Sequence, residues 1–136
     1  MRLILDTNVL ISGLISPVSV PGKIIKAWRN EGVDFVFSEE GIAELTRVLN
    51  YPRVSKYLKW NELEIINFVS ILRFKCKIVD ITGVNANVPA DPDDSHILAA
   101  LIVSEADFLI TGDKGILDLK EKYKILTPAE FEKIFL

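Results

Sequence analysis

The hydrophobic residues of this chain follow two spacings, that of β-strands and that of amphipathic helices, in alternating stretches. Short, largely apolar segments with the character of strands occur five times. They are Arg2–Leu5, Val33–Phe37, Lys77–Ile81, Phe108–Thr111 and Lys124–Leu126. Because strands separated by helices pair in parallel through right-handed crossovers, the pattern predicts a three-layer α/β/α sandwich, in which helices cover both faces of one sheet.

The helical stretches between these strands begin at local start signals. Pro21 opens the first, which carries Ile24, Ile25 and Trp28 on one face and stops at Gly32. The later signals are the capping residue Ser38, a capping box of Asn61 and Glu64, and the pairs Asp91-Pro92 and Thr127-Pro128. The chain has 136 residues, which is the length of one domain, so we expect a single domain over residues 1–136.

Composition narrows the class of protein without identifying a function. Hydrophobic residues make up 49% and charged residues 26%, and the formal net charge is −3, which argues against binding nucleic acid through bulk positive charge. The apolar run that leads to Asp6 has only three residues, and the longest apolar run, Ile97–Val103, has seven, against the ~20 of a membrane span. Cys76 is the only cysteine, which excludes an internal disulfide and a cysteine-built zinc site. We expect a soluble, cytoplasmic protein without a membrane segment.

Parts of the chain carry more apolar surface than one small sheet should need. The predicted helix over Ile97–Val103 is apolar almost all round, which places it either at the centre of the core or at a subunit contact. Trp28 and the segment Tyr51–Trp60 add to this excess. Exposed apolar patches usually mark an interface, and a two-fold dimer is the commonest closed form, so the sequence predicts a homodimer.

Acidic residues follow the ends of several predicted strands. In an open doubly wound sheet, ligands bind beyond the carboxyl ends of the strands, where the strand order reverses. The acids that four segments place at this edge are Asp6, Glu44, the group Asp91, Asp93 and Asp94, and Asp113. Each aspartate is also explained singly as a helix cap or a first-turn acid, whereas Glu44 lies four residues after Glu40 and forms a mildly destabilising like-charge pair with it. Together, however, they would repel one another and raise their own pKa values unless a cation neutralised them, and hard oxygen ligands suit Mg²⁺ or Mn²⁺.

Ordered motifs along the chain resemble the PIN domain family. They are Leu3-Ile4-Leu5-Asp6-Thr7-Asn8-Val9-Leu10, Asp94 followed by Ile97-Leu98-Ala99-Ala100, and Thr111-Gly112-Asp113. Between them, the pairs that resemble the branch of toxins from toxin–antitoxin pairs, the VapC-like ribonucleases, are Glu44-Leu45, Val48-Leu49, Arg53-Val54 and Tyr57-Leu58. The resemblance implies a metal-dependent endoribonuclease, often dimeric, with Mg²⁺ or Mn²⁺ as cofactor and RNA as substrate. It also implies a sheet ordered 3-2-1-4-5 and an antitoxin as a protein partner.

The resemblance also assigns roles to individual residues. The acidic quartet expected to hold the metal and carry catalysis corresponds to Asp6, Glu44, Asp94 and Asp113. Asn8, or the hydroxyl of Thr7, corresponds to a polar position that helps to orient the first aspartate. Thr111 belongs to the last motif and supports the site, and Asp91 is expected to contribute from its loop.

Two details of the acidic quartet stay open from the sequence alone. The spacing to Ile97 favours Asp94 over Asp93 as the acid that faces the site. Many members of the family carry a further acid two residues after the last aspartate, where this chain has Gly115. The number of metal ions, one or two, is therefore undecided.

Contacts with RNA are expected on the segment from Arg47 to Trp60, which begins within the predicted helix capped by Ser38. Its basic residues are Arg47, Arg53, Lys56 and Lys59, of which the first three are the candidate RNA contacts, and its aromatic residues are Tyr51, Tyr57 and Trp60. Aromatic rings stack on unpaired bases while cations hold phosphates, although core packing of the aromatics beside a solvated basic rim explains the same pattern equally well. His96, two residues after Asp94, is expected to point away from it, as a surface or interface residue.

Two other functions are compatible with the same residues. A haloacid-dehalogenase-type phosphohydrolase also begins with a strand followed by an aspartate, and Gly112-Asp113 with Asp118 imitates its later element. Such an enzyme needs a second aspartate where this chain has Asn8. A PIN fold could also be a non-catalytic interaction module, but there would then be no reason to keep unpaired carboxylates together.

Overall fold

A five-stranded sheet forms the centre of the computed structural model, which describes residues 1–136. The strands, in chain order, are β1 Arg2–Leu5, β2 Asp34–Ser38, β3 Lys77–Val79, β4 Phe108–Ile110 and β5 Ile125–Leu126. They lie in the order β3-β2-β1-β4-β5, and every neighbouring pair is parallel. The predicted fold class and strand order are both confirmed.

Helices cover both faces of this sheet. They are α1 Thr7–Ile15, α2 Val20–Arg29, α3 Glu39–Leu49, α4 Pro52–Leu58, α5 Glu62–Lys75, α6 Ser95–Ser104, α7 Lys114–Leu117 and α8 Pro128–Phe135, with a 3₁₀ turn at Pro92–Asp94. Leu3 and Leu5 of β1 belong to an apolar cluster of 20 buried residues, whereas Ile4 between them belongs to a second cluster of 11. Since alternate residues of a strand point to opposite faces, the two clusters lie on the two sides of the sheet and make the three layers.

Several helix caps correspond to start signals in the sequence. Ser38 accepts a hydrogen bond from the N–H of Gly41 at the start of α3. Asn61 and Glu64 form the capping box of α5, and Thr127 and Glu130 form that of α8. Each box satisfies two backbone N–H groups that the first helical turn leaves without a partner, which is why these starts can be recognised from local residue types.

The start and the end of α2 differ from the prediction. The helix begins at Val20, capped by Ser19, and it ends at Arg29 rather than at Gly32. Glu31 adopts the left-handed conformation (φ 62°), and the N–H of Gly32 donates back to the last turn of the helix. The chain therefore reverses one residue earlier than the usual glycine position would suggest.

Other boundaries differ by a few residues. Asp91-Pro92 starts a single 3₁₀ turn, and the α-helix proper, α6, begins only at Ser95. Strand β3 ends at Val79 rather than at Ile81, β4 ends one residue early, and β2 and β5 begin one residue late. Strand ends depend on which backbone groups find a neighbour in the sheet, and the sequence of the strand itself does not show this.

The sequence pattern did not predict three of the helices, α1, α4 and α7. In α1, Thr7, Val9, Leu10, Ile11 and Gly13 are all buried, so the helix has no broad polar face that would produce an amphipathic pattern. Helix α4 has only seven residues, too few to establish a period, and it begins with a proline at its first position. Helix α7 has only four residues, and all three omissions follow from reliance on periodicity.

Much of the apolar surface that the sequence assigned to self-association lies in the core. Trp28 is 4% exposed and stacks on Phe35 with ring centroids 5.2 Å apart. Residues Ile97–Leu101 of α6 are buried, all except Ala99 in the second apolar cluster, and only Ile102 and Val103 of this helix are apolar and exposed. Of the two alternatives for this helix, the structure therefore supports the core position.

Helices α1 and α2 form a sharply bent and tightly packed pair. No single helix of the chain is long and apolar enough to cross a membrane, and these two, which match a span only when taken together, are bent by 91° at the break between them. A Cβ atom on Gly13 would lie 2.8 Å from the carbonyl carbon of Pro21, and one on Gly22 would overlap the carbonyl oxygen of Pro17. Both close approaches involve backbone, which cannot move aside as a flexible side chain can.

We predict that Gly22→Ala destabilises the protein, because its Cβ would force the α1–α2 connection apart. An overpacking cost of about 1–3 kcal/mol corresponds to a fall in Tm of roughly 3–15 °C in thermal unfolding. Gly112→Ala is the matched control, since no heavy atom lies within 4 Å of the position its Cβ would take. Equal Tm values for the two variants would contradict the close packing.

Candidate active site

The ends of β1 and β4 meet at the point where the strand order reverses, and a short chain of hydrogen bonds joins them. The Oγ1 hydroxyl of Thr111 donates to Oδ2 of Asp6 at 2.8 Å, in a buried position. The same Oγ1 accepts a hydrogen bond from the backbone N–H of Asp113 at 3.0 Å. Thr111 therefore connects the two aspartates that the sequence places after β1 and β4.

Asp6 is a carboxylate in a largely dry position, with only 6% of its surface exposed. Burial raises its pKa above the ordinary value, against the lowering effect of the hydrogen bond from Thr111. The charges of Glu44 and Asp113 raise the pKa of Asp6 further. Acids from two other segments are thus close enough for their charges to act on Asp6.

Asp113 combines two roles at the start of α7. Its Oδ2 atom accepts a hydrogen bond from the N–H of Ile116 at 3.1 Å, which makes Asp113 the N-cap of this short helix. The capping explanation from the sequence is therefore correct for this residue, and it does not compete with a role in the site. The hydrogen bond fixes one carboxylate oxygen, and no side chain donates to the other.

Glu44, on α3, is held by two side chains that contact the same carboxylate oxygen. Thr7 Oγ1 donates to Glu44 Oε2 at 2.7 Å, and His96 Nε2 lies 3.3 Å from the same atom. The contact with His96 is the largest reason that the pKa of Glu44 lies below its ordinary value, and the hydrogen bond from Thr7 lowers it too. Glu44 therefore stays ionised at neutral pH, with Oε1 left free by these two partners.

The expectation that His96 points away from the acidic site is wrong. Its side chain is 16% exposed and contacts Glu44, and its buried Nδ1 has no hydrogen-bond partner. The expectation treated Asp94 and His96 as members of one regular helix, but Asp94 ends the 3₁₀ turn and only caps α6. The change of helix type alters the relative direction of the two side chains. His96 is thus a residue of the site that the sequence reasoning missed.

The hydroxyl that orients Asp6 also differs from the expectation. The sequence offered Asn8 or the hydroxyl of Thr7 for this role, but the Thr7 hydroxyl binds Glu44, and Asn8 makes no side-chain hydrogen bond to Asp6. The donor is Thr111, from the last motif. Asn8 is exposed on α1, where it lines the cleft beside Asp6.

Asp94 is the acid of the 91–94 group that lies nearest the other carboxylates. Its pKa is raised to about 6, chiefly by burial and in addition by the charges of Asp6, Asp91, Asp113 and Glu44. Asp93 is exposed and does not contribute to this shift. Asp91 caps the 3₁₀ turn by accepting the N–H of Asp93 at 3.1 Å. The structure thus places Asp94 among the acids, with Asp91 at the edge.

Gly115, where many PIN domains carry another acid, is closed off by a neighbouring loop. A Cβ atom at this position would lie 2.6 Å from Cβ of Ala90 and 3.2 Å from Oδ2 of Asp113. A larger side chain could therefore enter only if the loop before Asp91 moved. The space that this acid would occupy beside Asp113 is therefore not empty, because Ala90 fills it.

Two clefts open beside the acids and share one residue. The first, of about 350 Å³, is lined by Asp6, Asn8 and Asp113 among others. The second, of about 320 Å³, is lined by Asn8, Arg53 and Tyr57 together with apolar side chains of α1. Because Asn8 lines both, the acidic cleft continues into one that offers a cation and an aromatic ring.

The predicted RNA-binding residues divide into two groups. Arg47, Arg53 and Lys56 are exposed, and so are Tyr51 and Tyr57, the latter to 71%. Trp60 is only partly exposed and packs on Phe68 with ring centroids 5.2 Å apart. The core-packing alternative therefore holds for Trp60, whereas Tyr57 keeps a free ring face beside Arg53.

The candidate ligands of this site are of the chemical kind that a hard divalent cation binds. All the candidate ligands are carboxylate oxygens, no side chain donates to the second oxygen of Asp6 or of Asp113, and Asp94 accepts no hydrogen bond. As the side chains stand, no three acidic, histidine or cysteine residues are close enough together to hold a metal ion. Mutual repulsion of uncompensated carboxylates opposes such an approach, and a cation would reverse it.

We predict that Asp94→Asn raises the Tm of the metal-free protein at neutral pH. The folded protein binds the Asp94 proton more tightly than the unfolded chain does, so this group adds stability below its ordinary pKa of 3.8 and loses that contribution as the pH rises through about 6. The asparagine stays neutral and should gain about 2–5 °C. No capping hydrogen bond is lost, because the Asp94 side chain makes none.

Three further measurements accompany this one. The gain should vanish below about pH 4, where the aspartate is protonated as well. The exposed neighbour Asp93 supplies the control, and Asp93→Asn should leave Tm unchanged. Mg²⁺ or Mn²⁺ should raise the Tm of the wild type and have less effect on Asp94→Asn. If neither the substitution nor the metal changed Tm, the acids would be independent helix caps.

Comparison with known proteins agrees with this arrangement of motifs. Residues 2–115 match the PIN domain, a range that includes all four acids of the quartet. The chain is also 31% identical to the uncharacterized protein MJ1680 of Methanocaldococcus jannaschii, over 99% of this chain and 92% of that protein. PIN domains are generally nucleases, and they typically use divalent metal ions. The chain therefore belongs to the PIN domain family.

Proposed function

We propose that this chain is a metal-dependent endoribonuclease, which hydrolyses phosphodiester bonds of RNA with Mg²⁺ or Mn²⁺ as cofactor. The observation that carries the proposal is the buried Asp6, which Thr111 links to Asp113 and which lies within electrostatic reach of Glu44 and Asp94. Such a group of carboxylates costs stability unless a cation neutralises it. Membership of a nuclease family supports the same interpretation.

The residues of the site would divide the work between them. Asp6, Asp94 and Asp113 would hold the ion, which supplies charge neutralisation at the phosphate and a lowered pKa of bound water. Thr111 holds one oxygen of Asp6, and the N–H of Ile116 holds one oxygen of Asp113, so each aspartate presents its other oxygen in a fixed direction. No serine or cysteine side chain is hydrogen-bonded to His96, whose Nε2 contacts Glu44 and whose Nδ1 has no partner, which favours direct attack by water.

Glu44 would act on the water rather than on the phosphate. Thr7 and His96 both contact its Oε2 atom, and its Oε1 atom is left to accept a hydrogen bond. Because the pKa of Glu44 is lowered, the carboxylate is ionised at neutral pH and can orient a water molecule through Oε1. We therefore assign Glu44 to the positioning of the attacking water.

The neighbouring cleft supports an unpaired RNA strand as substrate. Tyr57 is 71% exposed beside Arg53, and Arg47 and Lys56 are exposed on the same part of the chain. Aromatic rings stack on unpaired bases, and arginine and lysine hold phosphates. With a net charge of −3, the protein should bind RNA weakly, in a manner that depends on salt.

A role as the toxin of a toxin–antitoxin pair is the narrower form of this proposal. It is supported by the resemblance of the segment around Glu44 and Arg53 to the VapC-like branch. Such a toxin would act in the cytoplasm and would be inhibited by an antitoxin protein. A short open reading frame beside the gene, and growth arrest on expression that depends on Asp6, would be the expected signs.

We predict that Asp6→Asn abolishes RNA cleavage while the fold is kept. The substitution removes the carboxylate at the centre of the site, and a loss of at least about 100-fold is expected for a residue that holds a catalytic metal. The assay would use end-labelled single-stranded and structured RNA with Mn²⁺ or Mg²⁺, and Asp93→Asn as the variant that should stay active. Single-stranded DNA and a phosphate monoester would be tested alongside.

Each outcome of that assay distinguishes between functions. Cleavage by Asp6→Asn, or by the wild type in a chelator, would contradict the proposal. Hydrolysis of the monoester alone would favour a phosphohydrolase. Absence of cleavage on every substrate, in a folded protein that still binds a partner, would favour a non-catalytic interaction module.

We also predict that His96 affects the rate more than substrate binding. His96→Leu leaves Glu44 held only by Thr7, so the carboxylate is less well directed, and kcat should fall about 10- to 100-fold with KM nearly unchanged. His96→Gln, which keeps a side-chain donor, should recover part of that rate. An equal loss for both variants, or a change confined to KM, would contradict the positioning role.

A further inference from the structure

Helix α5 has two apolar faces, and only one of them packs on the rest of the molecule. Ile65, Phe68 and Leu72 are buried in the first apolar cluster. The large apolar side chains on the other side are Leu63, Ile66, Ile71 and Phe74, which are 63%, 53%, 54% and 90% exposed. Nothing in the chain covers this second set, which we call the outer face of α5.

The outer face is continuous along the helix. At about 100° per residue, Leu63 and Phe74 lie within about 20° of one another, and Ile66 and Ile71 flank the line between them on opposite sides. The positions between these isoleucines on the same face are Asn67 and Ser70, both exposed and both uncharged. The exposed side of a helix usually carries charged residues, which keep it in water. The outer face of α5 lacks such residues.

The residues of the outer face are symmetric about the middle of the helix. Leu63 and Phe74 lie at equal distances from the midpoint between Phe68 and Val69, and so do the pairs Ile66 with Ile71 and Asn67 with Ser70. In an antiparallel pair of helices related by a two-fold axis, each residue meets its symmetric counterpart at the same level. Two copies would therefore bring apolar residues to apolar residues and amides to hydroxyls.

We propose that the outer face of α5 is the contact of a homodimer in which two copies pair antiparallel. The charges at the two ends of the helix support a second copy of the chain as the partner. Glu62 and Glu64 lie at the amino end of α5, and Arg73 and Lys75 lie at its carboxyl end. Antiparallel pairing places acids opposite bases at both ends of the contact, whereas parallel pairing would place like charges together.

The charged residues on the two flanks of the outer face would also lie opposite residues of the other sign in an antiparallel pair. Glu62 and Arg73 lie on one flank of the outer face, and Glu64 and Lys75 lie on the other flank, at about 100° per residue. The two-fold axis of an antiparallel pair places each flank of one copy next to the same flank of the other copy. Glu62 of one copy would therefore face Arg73 of the other at nearly the same level along the helix axis. Arg73 also donates to both carboxylate oxygens of Glu39 in its own chain, at 2.7 and 3.0 Å, and because this ion pair is exposed, Arg73 would be shared between Glu39 and Glu62 of the other copy.

The same charges argue against other occupants of the outer face. Two acids and two bases flank it, so it carries no net charge to attract RNA or an anionic lipid surface. No candidate residue of the acidic site lies on α5, and the dimer is therefore independent of the nuclease proposal. Trp28 and Ile97–Leu101, which the sequence suggested for this role, are buried, and α5 is the helix with the most exposed large apolar side chains.

The first test is sedimentation equilibrium of the full chain, from low-micromolar concentration to about 200 µM. We expect a monomer–dimer equilibrium with a dissociation constant in the micromolar range, because one helix pair buries less than a standard interface. Phe74→Glu should weaken dimerisation at least about tenfold. Val18→Glu, at a residue 87% exposed outside α5, is the matched control and should have no effect. A monomer at every concentration, or equal effects of the two variants, would overturn the proposal.

The second test asks whether the two copies of α5 run antiparallel. Glu62→Lys and Arg73→Glu should each weaken dimerisation about 3- to 10-fold by placing like charges together, and an equimolar mixture of the two variants should recover the wild-type affinity. Recovery in the mixture is not expected if either variant is merely less well folded, and the Tm of each checks this directly. Failure of the mixture to recover would overturn the antiparallel arrangement.

Cross-linking provides an independent check of the same arrangement. In a background with Cys76→Ser, Ser70→Cys lies about 4.5 Å along the axis from its own copy, whereas Leu63→Cys lies about 16 Å from its own copy. Mild oxidation should therefore link the first variant into a dimer and leave the second unlinked. Efficient linking through Leu63→Cys would indicate parallel helices and would overturn the proposal.

Discussion

The hydrogen bond from Thr111 to Asp6 is the interaction on which the candidate site depends. It crosses from the end of β4 to the end of β1, two strands that are neighbours only because the sheet order reverses there. A carboxylate with 6% exposure loses most of its hydration, and a well-placed hydroxyl offsets part of that cost. Since the same hydroxyl accepts the N–H of Asp113, one side chain sets the positions of two acids.

The two apolar clusters keep this arrangement rigid while leaving its charges unbalanced. Alternate residues of β1 enter the clusters on opposite faces, so the strand that ends at Asp6 is packed from both sides. The raised pKa values of Asp6 and Asp94 show the cost of the acids that converge beyond that strand. Stability supplied by the core is thus partly offset at the sheet edge, which is the expected relation between a scaffold and a site built on it.

The sequence predicted those parts of the molecule that depend on local residue types. The capping boxes at Asn61 and Thr127 are examples, because both partners lie within one helical turn. Helix α1 could not be predicted in this way, since burial on nearly all sides removes its polar face. His96 contacts Glu44 of α3, a helix distant in the sequence, so residue spacing along α6 alone could not show this contact.

Gly115 shows how one departure from a family pattern can rearrange a site. A side chain at this position would collide with Ala90, so two small residues allow the loop before Asp91 to approach α7 closely. That loop carries Asp91 and leads directly to Asp94, whose pKa is affected by both Asp91 and Asp113. The acid that many PIN domains carry two residues after the last aspartate is therefore absent here, and the loop that carries Asp91 takes up its space. A substitution at Gly115 would not simply add a ligand, because it would first displace the loop that positions Asp94.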